Sequence, residues 1–168
     1  MNDLAGKSTT GHQMNETAIM SDLTETGLEG YAPYLMNRIM GRYNAQLRAE
    51  MAALGLTTAK MRALAVLAVE DAPTISTLAV FAVVEQSTLS RALDGLESDG
   101  LVRRQTDDGD QRSSRIHLTG AGRAAFDRLW PHMRAAHDGM FAGITPSEQA
   151  AFLSTLTKML ANVRQHEI

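Results

Sequence analysis

Between about Gln86 and Thr119 the apolar spacing changes from the 3.6 period of a helix to the alternation of a strand, and a stop signal marks the change. With Leu89 at the centre of a buried face, Ala92, Leu93 and Leu96 fall on the same side by the helical step. Ser87, Arg91, Asp94 and Ser98 fall opposite, with Thr88, Ser90 and Gly95 flanking. Gly100 can take the left-handed position after the last turn and Leu101 can fold back on Leu96, which is a Schellman ending. Val102 to Thr106 then reads as a strand, Asp107 to Gln111 as a turn centred on Gly109, and Arg115 to Leu118 as the alternating strand that returns. A helix with one short, polar face followed at once by a hairpin is built to lay both against a single surface.

The helices on either side supply the frame. Leu35, Met36, Ile39, Met40, Tyr43, Leu47, Met51 and Leu54 predict a long amphipathic helix over about Tyr31 to Leu54, ended by Gly55. Thr57 is placed to cap a second helix bearing Met61, Leu64, Leu67 and Ala68, which Asp71-Ala72-Pro73 stops. Thr74 is placed to cap a short third helix bearing Ile75, Leu78 and Ala79. From about Gly122 the chain reads as helix to its end, with Pro131 expected to bend or interrupt it and Gly143 to stop it. Thr145-Pro146-Ser147-Glu148 is a capping box that opens a last helix bearing Phe152, Leu153, Leu156, Met159, Leu160 and Val163. Residues 1–27 lack periodicity and read as a flexible N-terminal tail.

Composition narrows the chemistry. Apolar residues make up 44% of the 168-residue chain, enough for a packed core. The chain has no cysteine, so disulfides, thiolate catalysis and cysteine-ligated zinc are excluded. Its five histidines form no metal-ligand spacing, and neither a metal nor a cofactor is expected. There is no apolar run long enough to span a membrane and no signal-peptide core, so a cytoplasmic protein is expected. A net charge of -3 argues against nucleic-acid binding by bulk charge. Any DNA affinity has to come from arginines placed on one face, and such binding is salt-sensitive.

The order of these motifs carries a resemblance. Ser87-Thr88-Leu89-Ser90-Arg91 leads through Leu96-Glu97 to Gly100-Leu101-Val102; Asp110-x-Arg112 follows, then Leu118-Thr119 and Gly122. From about Gly30 to Arg164 the chain resembles the MarR family of bacterial winged-helix transcription regulators. The resemblance implies a mainly α fold with a small β-hairpin wing, in which a winged helix-turn-helix domain is joined to a helical dimerisation layer. Residues 56–119 would form the DNA-binding domain, and residues 28–55 and 120–168 the dimerisation region. It implies a homodimer on a pseudo-palindromic double-stranded operator, and a ligand-responsive repressor. Two features depart from the family pattern. Val83 stands in the turn where a glycine is common, and Val80 and Phe81 stand where the preceding helix is commonly basic or polar.

The candidate DNA contacts are Ser87, Thr88, Ser90 and Arg91 on the helix, and Arg103, Arg104, Asp110, Arg112 and Arg115 on the hairpin. Hydroxyls bond to base edges or phosphates, and an arginine can make two parallel bonds to guanine. Arg112 at a hairpin tip suits the minor groove, with Asp110 fixing its rotamer. Gly95 would let backbone approach a phosphate, and Asp94 opposes phosphate unless it meets cytosine or holds Arg91. Tyr31, Tyr34, Arg38 and Arg42 lie along the first helix; in the family, small aromatic carboxylates bind beside that helix, and these four are the candidate effector contacts. Two other readings compete. The mixed charge of the helix–hairpin segment suits a winged-helix adaptor that binds protein and not DNA. Gly120-Ala121-Gly122-Arg123-Ala124-Ala125 fits a dinucleotide fingerprint, as in a small nucleotide-binding enzyme. That fingerprint needs a parallel sheet, whereas the strand before it alternates and no second βαβ unit follows. The glycines are expected instead to relieve crowding where strand turns into helix.

Overall fold

The computed structural model describes residues 27–107 and 110–163, with the strand backbone alone at 107 and 110–113. The predicted tail up to residue 26, the turn centre at residues 108 and 109, and the chain beyond Val163 lie outside the described residues. A 3-10 turn at Leu28–Gly30 precedes six helices and a hairpin: α1 Ala32–Ala53, α2 Thr58–Leu67, α3 Ile75–Ala82, α4 Gln86–Ser98, β1 Val102–Asp107, β2 Asp110–Leu118, α5 Gly120–Met140 and α6 Pro146–Val163. The chain divides into two units between Tyr43 and Asn44, within α1.

In the smaller unit the described residues are the 3-10 turn and the first half of α1. Leu35, Ile39 and Met40 are exposed there. Arg38 Nη1 donates to the Tyr34 hydroxyl at 2.9 Å, one helical turn back, and its guanidinium stands 5.7 Å from the centre of that ring.

The larger unit holds the core. The apolar stripes of α2, α3 and α4 converge, burying Leu64, Leu78, Leu89, Leu93 and Leu96 completely, and Ile116 of the hairpin and Leu129 of α5 close the sides. The buried residues of α4 are Leu89, Ala92, Leu93 and Leu96, as the helical spacing requires. Its ending is the predicted one: Gly100 has φ +69, and the Leu101 amide donates to the Leu96 carbonyl at 2.8 Å. Thr57 and Thr74 cap α2 and α3 through their hydroxyls, each accepting from an amide three residues on at 3.2 Å. The Thr145–Glu148 box closes reciprocally at 2.9 and 3.3 Å. Pro131 does not break α5, which runs on to Met140.

β1 and β2 pair antiparallel, with Val102 opposite Leu118, Arg104 opposite Ile116, and Gln105 opposite Arg115. They form the one sheet found among the described residues, so no parallel crevice accompanies the glycine fingerprint. The fingerprint has a packing role. A methyl group added at Gly122 would fall inside van der Waals distance of the Leu101 carbonyl and 2.7 Å from Leu118 Cδ1. Thr119 caps α5 by accepting from the Gly122 amide at 3.0 Å, and its own amide donates to the Leu101 carbonyl at 3.1 Å.

Val83 takes the left-handed conformation that a glycine would take freely, with φ 51 and ψ 50. Its carbonyl accepts from Arg62 Nη1 at 3.0 Å, which ties the turn to α2. Phe81, at the end of α3, is exposed.

Two stability predictions follow from these backbones. Gly122→Ala is expected to cost about 1–3 kcal/mol, because the obstacle is a backbone carbonyl that cannot swing away. Gly120→Ala, where nothing lies within 4 Å of the added methyl, is expected to be close to neutral. Thermal unfolding of the two variants checks the difference. Val83→Gly is expected to gain roughly 0.5–1 kcal/mol, since about 1–2 kcal/mol of left-handed strain is relieved against the conformational entropy of glycine. Urea midpoints of that variant and the parent provide the measurement.

Candidate nucleic-acid interface

The polar face of α4 is exposed at Ser87, Thr88 and Arg91 and half-buried at Ser90. Its start is organised by a residue the sequence reading passed over. Glu85 is the N-cap of α4: its carboxylate accepts from the Ser87 hydroxyl, and from the Thr88 amide and hydroxyl at 3.1 and 3.4 Å. Both hydroxyls therefore give their protons to Glu85, which leaves their oxygens as acceptors for the exocyclic amines of adenine or cytosine. The same carboxylate occupies the helix N-terminus, a place that otherwise suits a phosphate. Glutamate is not among the preferred N-caps, so cap preferences alone pointed elsewhere. Arg91 Nε donates to the Ser87 carbonyl at 3.4 Å, lying back along the face it belongs to.

The hairpin sorts its arginines by strand parity. Val102 is buried, so the alternate residue Arg104 is directed to the same side, opposite the buried Ile116. Arg103 and Gln105 are directed to the other side, where Arg103 Nη1 donates to Gln105 Oε1 at 2.8 Å. Arg104 Nη2 reaches Asp94 at 2.6 Å and Nη1 reaches Glu97 at 3.1 Å, both on α4. The Arg104 amide donates to the other Glu97 oxygen at 3.0 Å. Asp94 thus holds Arg104, not Arg91. Arg115 is exposed, and Arg115 Nη1 donates to the Ala72 carbonyl at 3.2 Å, which joins β2 to the turn before α3. Asp110 and Arg112 fall on the β2 backbone, with their side chains outside the described part.

The remaining acid at the end of α4 is also met from behind. Lys60 Nζ of α2 lies 2.8 Å from Asp99, the C-cap. Its stem crosses Gly95 so closely that an added methyl would stand 2.8 Å from Lys60 Cε. The Gly95 position is therefore used for this crossing, and not for the approach of a phosphate as the sequence suggested. No spacing rule shows this contact, because Lys60 and Asp99 are far apart in the chain.

Tyr31, Arg38 and Arg42 are exposed and Tyr34 is half-buried; Tyr31 precedes α1, and the other three lie in its first half. Of these, Tyr34 and Arg38 are brought together, through the hydroxyl bond and ring contact described above.

A tight helical pair whose second member shows hydroxyls and an arginine, followed by an antiparallel hairpin, defines the winged helix-turn-helix class of DNA-binding proteins. A family model described as MarR family matches residues 54–113. A solved MarR-family transcriptional regulator from Silicibacter pomeroyi is 75% identical with a TM-score of 0.83, over 87% of this chain and 99% of that one. The HTH-type transcriptional repressor IacR of Pseudomonas putida is 25% identical over 138 residues, 82% of this chain and 80% of the relative. The HTH-type transcriptional regulator YwhA of Bacillus subtilis (strain 168) is 32% identical over 73 residues, 44% of this chain; that match spans about half of the relative, 52% of its length. The chain belongs to the MarR family, and is a DNA-binding transcriptional regulator and not an enzyme.

Glu85 gives a pH prediction. Hydrogen bonds from the Ser87 hydroxyl, and then from the Ser87 and Thr88 backbone, hold its carboxyl below the ordinary 4.5. A folded value below the unfolded one means that the cap contributes fully above about pH 4.5 and that this contribution is lost as the pH falls through the folded value. Glu85→Gln is expected to lower the thermal midpoint at pH 7, with the gap to the parent closing below pH 4.5. A gap that persists in acid would assign the effect to something other than the carboxylate charge.

Proposed function

We propose that this chain acts as a cytoplasmic homodimeric repressor that binds a pseudo-palindromic operator and releases it when a small aromatic carboxylate binds. The observation that carries the DNA contacts is the exposed Ser87, Thr88 and Arg91 face on a helix whose opposite face is wholly buried. Arg112 and Asp110 on β2, and Arg103 and Arg115 along the hairpin, would extend those contacts to the flanking backbone and minor groove.

Pairing of two copies is supported by α6. None of its residues is buried, and Phe152, Leu153, Leu160 and Val163 are exposed on one helix. An apolar helix in water calls for a cover, and residues 28–55 and 120–168 are the segments assigned to provide it. Two reading helices would then face successive major grooves, with half-site centres about 34–36 Å apart. Repression follows the name of the Pseudomonas relative. The effector reading rests on Arg38 and Tyr34, a guanidinium and a ring already in contact, with Arg42 on the same helix and Tyr31 just before it. A carboxylate would take the guanidinium, and its ring would meet the tyrosines. No helix among the described residues is long and apolar enough to cross a membrane.

Binding to duplex from upstream of the chain's own gene tests the assignment. Arg91→Ala and Arg112→Ala are each expected to weaken specific binding by about 1–3 kcal/mol with the protein still folded. If neither change weakens binding, the contact assignment is wrong. Sedimentation of the free protein as a single copy would remove the paired-helix reading. Failure of benzoate to release DNA from the parent more readily than from Arg38→Ala would remove the Arg38 effector site.

A further inference from the structure

We propose that Arg104 is a positioning residue that neutralises the acids of the reading helix from its protein side, and is not one of the arginines that touch phosphate. The proposal rests on the DNA-binding reading of α4.

Three facts carry it. First, Arg104 lies on the core-facing parity of β1 with Val102, opposite Ile116, so its stem leaves the hairpin toward α4. Second, its guanidinium is committed at both ends, to Asp94 at 2.6 Å and to Glu97 at 3.1 Å; Nη2 adds a long contact to the Ser90 carbonyl at 3.5 Å. Its Nε is buried without a hydrogen-bond partner, and the guanidinium bonds through its Nη atoms. Third, the acids are more open to solvent than the arginine: side-chain exposure is 61% for Asp94 and 39% for Glu97, against 28% for Arg104.

The charge balance explains what such a clasp is for. From Gln86 to Ser98 the helix carries one arginine and two carboxylates of its own. Such a helix would meet a polyanion with an excess of negative charge. Arg104 brings the balance to zero without occupying the exposed face, and Lys60 does the same for Asp99 at the C-cap. The reading helix keeps Arg91 as its exposed cation while Asp94 and Glu97 are each paired with Arg104. The clasp also fixes the hairpin to the helix, because the Arg104 amide holds Glu97 as well. That backbone bond survives a side-chain change, so Asp94 is the acid that an Arg104 variant sets loose.

A rescue experiment separates a clasp from a phosphate contact. Binding to the same upstream duplex is measured by fluorescence anisotropy across a salt series. The proteins are the parent, Arg104→Met, Asp94→Asn, and the triple variant Arg104→Met/Asp94→Asn/Glu97→Gln. Arg104→Met is expected to weaken binding about tenfold or more, as loss of one partner of a half-buried charge pair does. The triple variant is expected to recover to within about threefold of the parent, because the acids that the arginine answered are gone. Asp94→Asn alone is expected to bind at least as tightly as the parent. It keeps Arg104 in place, so it reads the charge argument even if Arg104→Met unfolds.

A direct phosphate contact predicts otherwise. The triple variant would stay as weak as Arg104→Met, and the slope of log K against log salt would fall by about 0.9 in both. That result, or weaker binding by Asp94→Asn, overturns the proposal. A parent that binds no duplex at all sinks the DNA reading and the clasp with it. A parent that binds, beside a triple variant that does not recover, sinks the clasp alone.

Discussion

The carbonyl of Leu101 is where the reading helix, the hairpin and the long helix α5 are joined. It accepts from the Thr119 amide, it lies within reach of the Thr119 hydroxyl at 3.0 Å, and the backbone of Gly122 passes over it with no room for a side chain. Thr119 also caps α5, so a single residue ends the returning strand, starts the next helix and grips the exit of α4. The Schellman ending at Gly100 delivers Leu101 to that point. The hairpin is thus tied to the exit of α4 by backbone bonds, beside the hold that the Glu97 side chain has on the Arg104 amide. A winged reader needs this, because a hairpin that drifted by one residue would reverse the parity of every side chain it carries.

Parity is what separates the hairpin arginines into two jobs. Arg103 and Arg104 are neighbours with the same chemistry, yet one is bonded to Gln105 on the outer side and the other to α4. The acids of α4 that seemed to oppose DNA binding are the anchors for Arg104, and Asp99 is the anchor for Lys60. Of the mixed charge that favoured a protein-binding adaptor, Asp94 and Glu97 are met by Arg104, and Asp99 by Lys60.

Much of this was legible before any coordinates. The buried face at Leu89, Ala92, Leu93 and Leu96 followed from helical spacing, since one stripe can meet a core and the rest cannot. The caps at Thr57 and Thr74 and the ending at Gly100 followed from local hydrogen-bond needs, which depend on a few adjacent residues. The crowding at Gly122 was anticipated as the alternative to a dinucleotide site. The inward turn of Arg104 is set by strand parity from Val102, which charge alone does not reveal. The Lys60–Asp99 and Arg62–Val83 bonds were not legible, since they join residues that only packing brings together. Glu85 escaped because it is an uncommon cap whose role appears only with its carboxylate over Ser87 and Thr88.

Val83 shows how strain and attachment are balanced in such a turn. A β-branched residue at positive φ costs folding energy, so the conformation has to be imposed from outside. Its amide donates to the Val80 carbonyl at 3.1 Å, and its carbonyl is held by Arg62 from α2, so both ends of the residue are bonded. The next amide, of Val84, reaches back to Ala79 at 3.1 Å and closes the end of α3. Arg62 and Lys60 project from the same helix to the two ends of the reading unit, one to the turn that enters α4 and one to the residue that leaves it. α2 thereby bonds to the turn before α4 and to the residue that ends it, while Leu64 is buried in the core they share. Bonds at the two ends oppose movement of α4 along its own axis, and a helix that reads bases in a groove has to be fixed in that direction.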